Sequence, residues 1–317
     1  MKVKVTRKFA VALDICAFEL SAANGAALPA FSAGAHIDVH PRQDLVRQYS
    51  LCNPQDATGR YLIGVLREPT SRGGSVAMHA LQEGDEIEIS APKNHFPLVE
   101  DARHSILIAG GIGITPILSM AERLAQDGAS FELHYSTRAP ERTAFRERLE
   151  APHLKQQLHL YHDTAPPEQR LDLAGVLAKP QADTHLYVCG PGGLIDAVLD
   201  SARRNDWSEA KLHREYFAAA PAVANNTDDR AFQVKLASSG QLIDVPPGQN
   251  VVAMLSAAGI DIATSCGEGV CGTCLTRVLE GEPEHRDCYL TDEERAANDQ
   301  FLPCCSRSKT AVLVLDL

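Results

Sequence analysis

The sequence predicts a multidomain chain that passes through three fold classes in turn: β, then α/β, then α+β. Three observations carry this reading. Short segments of alternating hydrophobicity fill the chain to about residue 100, from 101 onward strand patterns alternate with helix patterns across glycine-rich turns, and near the C-terminus a cysteine-rich loop sits among short strands. At 317 residues the chain is too long for one ordinary domain. The expected boundaries are 1–100, 101–222 and 223–317.

Composition narrows the function classes. A hydrophobic content of 44% and a charged content of 22% are those of a globular protein. A net charge of −11 argues against nucleic acid as a partner. No apolar run approaches the roughly 20 residues of a membrane-spanning helix. The basic start of the chain is followed by Asp14 and Glu19 and has no long apolar stretch, so no secretory signal is expected. Nine cysteines without such a signal point to a reducing cytoplasm. There is no internal repeat and no low-complexity tract.

In the first segment Val3, Val5, Phe9, Val11 and Leu13 alternate, as do residues 34–39 and 87–89, with Pro, Gly and Asn between them. Many short strands with frequent turns predict a small antiparallel barrel. Within it lies Arg47-Gln48-Tyr49-Ser50-Leu51, and then Arg72-Gly73-Gly74-Ser75 ahead of a helix expected at 76–81. An aromatic beside a small hydroxyl residue can stack on and hydrogen-bond a flat heterocycle. Arg47 and a Gly-Gly-Ser backbone at a helix start can hold a phosphate. A tyrosine packed on the barrel and a plain Gly-Gly turn would read the same way.

The second segment opens with the buried-strand run 105–109, which leads into Gly110-Gly111-Ile112-Gly113-Ile114-Thr115-Pro116. Thr115 as N-cap and Pro116 at the first helical position predict a helix over 117–126. Further strands are expected at 131–135, 158–161 and 185–188. The last ends in Cys189-Gly190-Pro191-Gly192-Gly193 before a helix at 194–204. Strands alternating with helices imply a parallel sheet, and ligands of such sheets bind at the carboxyl ends of strands, where both turns fall. Neither turn is G-x-G-x-x-G, and glycine-rich turns of this kind also serve packing alone.

Residues 221–229 are small, polar and aperiodic, and read as a linker. Beyond them, strands at 232–236 and 241–245, a helix at 251–258, and strands at 275–279 and 312–315 surround the cysteine loop. Cys266-x₄-Cys271-x₂-Cys274 with the distant Cys304 matches plant-type [2Fe–2S] ligation. Gly267, Gly269 and Gly272 let the backbone bend around a cluster and aim N–H groups at its sulfides. A structural zinc site is the alternative, but it would need a second closely spaced cysteine pair.

Taken together, these motifs resemble the phthalate dioxygenase reductase family, and within it the vanillate O-demethylase reductase branch. Arg47-x-Tyr49-Ser50-Leu51-Cys52 is similar to the family's flavin motif, and Ser71-Arg72-Gly73-Gly74-Ser75 to its flavin-phosphate loop. Residues 110–116 with Cys189-Gly190-Pro191 are similar to its pyridine-nucleotide turns, and Leu302-Pro303-Cys304-Cys305-Ser306-Arg307 closes its cluster loop. The resemblance implies an antiparallel flavin-binding barrel, a parallel-sheet nucleotide-binding domain and a C-terminal plant-type ferredoxin of the β-grasp kind. It implies FMN rather than FAD, held by Arg47, Tyr49, Ser50, Leu51, Arg72, Gly73, Gly74 and Ser75. It also implies a nucleotide held by Gly111, Thr115, Gly190 and Pro191.

Cys189 is expected where the nicotinamide arrives, although a buried small hydrophobe would look the same. Phe217, in Arg214-Glu215-Tyr216-Phe217, resembles the family's aromatic that borders the flavin. Arg138 can pair with a 2′-phosphate, yet the resemblance favours NADH. The family's ligand precedes a small residue, Ser and Arg, which selects Cys304 over Cys305, and strand alternation would turn the neighbour away. Cys288 is left outside the cluster, Cys16 and Cys52 are assigned to barrel packing, and His134, His159 and His162 to surface or core roles.

The activity implied is that of a reductase component. A hydride from NADH passes to FMN, and single electrons then leave through the cluster to a Rieske-type terminal oxygenase or O-demethylase. Another terminal acceptor (an alkylamine monooxygenase or a P450) and a flavin/iron–sulfur redox sensor are the alternatives. A monomer is expected. From Asp228 onward there are 14 acidic and 7 basic residues, a net of −7 that would steer a basic partner or simply keep the surface soluble.

Overall fold

Strand alternation builds the first sheet. In β1 (Lys2–Ala12), Val3 and Val5 are fully buried while Lys2, Lys4 and Thr6 face water. The computed structural model describes residues 1–42, 45–56, 59–69, 71, 73–178, 182–218 and 229–317. β2 (Ile15–Ala22), β3 (His36–Arg42), β4 (Leu45–Ser50), β5 (Tyr61–Leu66) and β6 (Glu86–Ile89) complete a six-stranded antiparallel sheet of order β4-β3-β6-β1-β2-β5. Its two outer strands meet through a Leu51–Ile63 bridge, which closes the sheet into a barrel around Phe18, Leu20, Ile37, Leu51 and Ile63. The helix expected at 76–81 is α1 (Gly74–Ala80). It starts earlier because Gly73, at φ 94°, takes the cap position that only glycine occupies without strain.

The parallel sheet holds β7 (His104–Gly110), β8 (Phe131–Thr137), β9 (Leu158–His162), β10 (Thr184–Cys189) and β11 (Leu212–Glu215) in the order β11-β10-β7-β8-β9. The connecting helices are α2 (Ile114–Gln126), α3 (Arg146–Leu149), α4 (Leu173–Val176) and α5 (Gly192–Arg204). β11 carries no periodic signal, since only one of its four residues is apolar, and the sequence reading missed it. From β7 the chain runs outward through β8 and β9, then returns to lay β10 and β11 on the other side. The order therefore reverses between β7 and β10, and a crevice opens at their carboxyl ends.

The sequence placed the N-cap of the following helix at Thr115. Instead Gly113 is the cap, α2 begins at Ile114, and the Thr115 hydroxyl donates to the Ile112 carbonyl at 3.0 Å inside the first turn. The tight turn 111–113 has already set helical geometry before Thr115 is reached.

Barrel and parallel sheet form one compact unit, Met1–Glu215, with a shared core in which Ile15, Cys52 and Phe96 pack with Leu107, Ile114, Met120 and Tyr135. Cys52 thus belongs to this shared core rather than to the barrel interior, and Cys16 lies against the barrel core.

The second compact unit is Tyr216–Leu317. It contains β12 (Phe232–Leu236), β13 (Leu242–Val245), α6 (Val251–Ala257), β14 (Thr276–Glu280), β15 (Pro283–Glu284), α7 (Asp292–Ala297), β16 (Gln300–Phe301), β17 (Arg307–Ser308) and β18 (Val312–Leu315). The main sheet has the order β13-β12-β18-β14-β16, with its first and last long strands parallel at the centre and α6 packed on it through Val251 and Leu255. That is the β-grasp arrangement expected for this part of the chain. The Asn250 carboxamide caps α6 by accepting from the Ala253 N–H at 2.8 Å.

Arg307 is buried at 4% exposure and donates to the carbonyls of Gln249, Arg230 and Pro246, which pins three separate segments. Residues 221–228 of the expected linker, and with them the 222/223 boundary, lie outside the described residues. Among the described residues, no helix is long and apolar enough to cross a membrane.

Candidate functional site

The crevice of the first unit is built by backbone. A side chain at Gly110 would meet Pro191 and Leu194 at 2.8 and 2.5 Å, and one at Gly113 would lie 2.3 Å from the Cys189 carbonyl. The two glycine-rich turns can approach only because neither carries a Cβ at these points. Gly111 takes φ 53° and has open space beside it, with its carbonyl fixed by the Tyr135 hydroxyl at 3.0 Å. Gly190 lies against the backbone of Gly110, while Pro191 is exposed at the start of α5. Thr115 is 1% exposed and faces the protein interior, where its methyl group abuts Gly64.

Cys189 ends β10 in register with Ala109 on one side and Glu215 on the other. Its thiol is fully buried, and burial, reinforced by the Glu215 charge, raises its pKa well above the ordinary thiol value. It is therefore a neutral S–H at physiological pH.

Glu215 was not singled out by sequence reasoning. Residue-wide it is half-buried, but its carboxyl is enclosed, and desolvation raises its pKa to about 8 against the opposing effect of a hydrogen bond from Ser50. That bond runs from Ser50 Oγ to Glu215 Oε2 at 3.4 Å. A barrel hydroxyl, a protonated carboxyl and a neutral thiol thus meet at the mouth of the crevice. The sequence around it, Leu212-His213-Arg214-Glu215, carries one apolar residue in four and gives no signal that could have found it.

On the barrel side, Tyr49 is half-buried against the barrel core, and its phenol pKa is raised by burial, partly offset by Arg47. Leu51 is wholly buried in that core, and its N–H donates to the Ala35 carbonyl at 2.8 Å, so it backs the barrel wall rather than presenting a side chain to a ligand.

The stem of Arg47 lies over Gly74, where a Cβ would come within 2.6 Å of its Cγ and Nε. Arg42, missed by the sequence reading, brings its Nη2 to 3.6 Å from the place a side chain at Gly73 would occupy. Two guanidinium groups therefore converge on a glycine cradle at the start of α1, which suits a phosphate monoester such as that of FMN. The Ser75 hydroxyl is engaged with Ser71 at 3.0 Å and with the Glu68 N–H at 3.1 Å, which holds the loop in shape. Arg72 lies outside the described residues.

In the second unit, the Cys266 sulfur lies within side-chain hydrogen-bond reach of Cys271 and Cys304, and the Cys274 sulfur within reach of Cys304. Cys271, Cys274 and Cys304 are buried and Cys266 is half-buried. The Glu268 N–H points at the Cys266 sulfur at 3.3 Å, and the Thr273 N–H at the Cys271 sulfur at 3.5 Å. Gly267, Gly269 and Gly272 have φ of 70°, 74° and 69°. A side chain at Gly269 would strike the Cys305 sulfur at 2.4 Å, and one at Gly272 the Tyr289 ring at 2.3 Å. Four thiols from two segments, ringed by backbone N–H groups, fit a [2Fe–2S] cluster.

Residues 303–305 form a turn, so the strand-alternation reason for separating Cys304 from Cys305 does not hold. What distinguishes them is position: the Cys304 sulfur lies within reach of both Cys266 and Cys274, while the Cys305 sulfur sits against Gly269 and beside Cys304. The Cys288 N–H donates to the Gly269 carbonyl at 3.0 Å, and the Asp287 carboxylate accepts from the N–H groups of Tyr289 and Leu290. This segment braces the cysteine loop through its backbone. Phe217 follows β11 by two residues and is 41% exposed.

Comparison with known proteins agrees with this geometry. Residues 234–309 match the 2Fe-2S iron-sulfur cluster binding domain family, and residues 89–212 match the N-terminal domain of dimethylamine monooxygenase subunit DmmA-like proteins. Vanillate O-demethylase oxidoreductase of Pseudomonas putida is 58% identical over 96% of both chains. Among solved structures, phthalate dioxygenase reductase, described as a modular structure for electron transfer from pyridine nucleotides to [2Fe-2S], is 39% identical. It covers 100% of this chain and 98% of its own, with a TM-score of 0.73. An intact type IV self-sufficient cytochrome P450 monooxygenase matches 100% of this chain at 36% identity and a TM-score of 0.88, but this chain spans only 41% of that protein. The chain belongs to the phthalate dioxygenase reductase family, the oxidoreductases that supply electrons to oxygenase systems.

Proposed function

We propose that this protein takes a hydride from NADH onto FMN and delivers single electrons, through a [2Fe–2S] cluster, to a Rieske-type terminal oxygenase. The observation that carries the reading is the convergence of Cys266, Cys271, Cys274 and Cys304 in a chain whose full length matches oxygenase reductases. When bound, FMN supplies the conversion of a two-electron donation into one-electron deliveries.

The chain's own residues set the conditions for this chemistry. Gly111, Gly190 and Pro191 shape the crevice for the dinucleotide, Thr115 fixes the turn from inside through the Ile112 carbonyl, and the buried Cys189 thiol gives the nicotinamide an uncharged floor. Ser50 and Glu215 hold a proton at the crevice mouth beside Cys189. Tyr49 lines the flavin position with Leu51 behind it in the barrel core, and Arg42, Arg47, Arg72, Gly73, Gly74 and Ser75 hold its phosphate. Phe217 borders the flavin. We assign functional domains to 1–100, 101–222 and 223–317, the first two lying largely within the compact unit Met1–Glu215. The protein acts as a monomer in the cytoplasm, and its acidic C-terminal portion steers a basic partner.

The test is to heat-release and identify the flavin, then to drive a Rieske-type O-demethylase with NADH over a series of salt concentrations. FMN, one [2Fe–2S] spectrum and turnover that falls as salt rises are expected. FAD, or no transfer to any Rieske-type acceptor, overturns the assignment.

A second reading has support of its own. The matches to a self-sufficient P450 over the whole chain and to a dimethylamine monooxygenase subunit family over residues 89–212 favour a different terminal acceptor. Efficient NADH-driven reduction of a P450 in the same assay, with none of a Rieske protein, would select it.

A further inference from the structure

On β8 and β9, away from the crevice, three metal-ligating side chains share one face of the parallel sheet. Glu132 and His134 stand two residues apart on β8, on the face opposite Leu133 and Tyr135, which pack with α2. His159 is the register partner of His134 on the neighbouring strand β9. One ligand atom from each of Glu132, His134 and His159 lies within 4.8 Å of the others. His134 Nε2 and Glu132 Oε2 are 3.1 Å apart, and the imidazoles of His134 and His159 stack at 4.8 Å with only 12° between their planes.

The surroundings orient this group. The other nitrogen of His134, Nδ1, is held by the Tyr161 hydroxyl at 3.0 Å. The second oxygen of Glu132 faces His104 Nε2 at 3.8 Å, and His104 is itself held through Nδ1 by Ser130 at 2.8 Å. A histidine whose far nitrogen is hydrogen-bonded presents the near one at a fixed angle, the usual outer arrangement of metal-bound imidazole. β9 is the edge strand of its sheet, and both Glu132 and His159 are exposed, so an ion has an open path.

We propose that Glu132, His134 and His159 form a binding site for a divalent transition ion of the Zn²⁺ class, which clamps the edge strand β9 to β8. Two imidazoles and one carboxylate are a donor set for borderline-soft ions, with water completing the shell. Tetrahedral bonds of about 2.0 Å require ligand atoms about 3.3 Å apart. The present spacing reaches this once the exposed His159 ring turns out of its stack on His134, so that a nitrogen of each ring points at one ion, and the exposed Glu132 carboxylate follows. Binding involves a tautomer exchange: the His134 proton moves from Nε2 to Nδ1, where it donates a hydrogen bond to the Tyr161 oxygen as the hydroxyl hydrogen of Tyr161 turns away, and the imidazole stays neutral.

The test uses the full-length holoprotein with its iron–sulfur cluster intact, dialysed free of loose metal and titrated with Zn²⁺ against a chromophoric chelator. Zinc-edge X-ray absorption is recorded on the loaded sample. One equivalent should bind with a shell of nitrogen and oxygen only. Affinity should fall at least about tenfold in His159→Gln and in Glu132→Gln, and roughly tenfold in Tyr161→Phe, while the cluster absorbance stays unchanged. Both ligand substitutions are at exposed positions, so the fold does not depend on them. Sulfur in the shell, affinity unchanged in both variants, or no bound equivalent would overturn the proposal.

Discussion

Ser50, the last residue of barrel strand β4, donates a hydrogen bond of 3.4 Å to Glu215, at the end of the last strand of the parallel sheet. These residues stand 165 positions apart in the chain, and their meeting ties the flavin side of the crevice to the nucleotide side. Because Glu215 also flanks Cys189 in the sheet register, one ionisation state governs the polarity of the whole corner.

Glu215 therefore makes stability pH-dependent in a predictable direction. Its native pKa of about 8 exceeds the ordinary value of 4.5, so between those limits the folded protein keeps a proton that the unfolded chain has released. Stability contributed by this group is fully present below the lower value and is lost as pH rises through the upper one. Glu215→Gln should flatten that fall. Denaturant unfolding at about pH 5 and about pH 9 should show the variant gaining on the parent only at the higher pH.

The Arg47–Gly74 contact predicts how flavin retention fails. Gly74→Ala places a methyl group 2.6 Å from the Arg47 stem and pushes the guanidinium off the cradle, without touching the barrel core. Flavin affinity, followed by fluorescence of released flavin, should drop by roughly tenfold or more, given that a hydrogen bond to a charged group contributes about 1.5–3 kcal/mol. Arg42→Ala should have a similar effect if both cations meet the phosphate. Undiminished retention in both variants would remove the cradle from the site.

Adjacent cysteines should behave differently. Cys304→Ser should abolish or severely deplete the visible iron–sulfur absorbance, since its sulfur is the one close to both Cys266 and Cys274. Cys305→Ser should retain the cluster, because that sulfur packs against Gly269. Electron paramagnetic resonance of the reduced proteins measures both outcomes.

Arg307 is the structural counterpart of these ligands. Its guanidinium supplies three carbonyls from inside the second unit and lies 3.5 Å from Asp229. Arg307→Ala should destabilise this unit by about 3–5 kcal/mol, the usual cost of breaking a buried charged network. Arg307→Lys should recover little, because an ammonium cannot reproduce the planar fork. Thermal unfolding followed through loss of cluster absorbance reports the change.

Local chemistry is what made much of this protein legible from its sequence. The cysteine spacing, the alternation of Val3 and Val5, the strand run before Gly110 and the glycine turns each encode a nearby geometric need, so a few neighbouring residues suffice to state it. Even so, the local signal misplaced the start of α2, because the turn at 111–113 had already adopted helical geometry, and it missed β11, whose burial comes from its neighbour β10 rather than from its own pattern. Only the tertiary structure decided which distant residues meet. It placed Glu215 beside Ser50 and Cys189, Arg42 beside Gly73, Arg307 among three carbonyls, and His134 beside His159. Each of these pairings depends on strand order and register, and a side chain's environment across a sheet is set by chain segments that its own sequence neighbourhood does not contain.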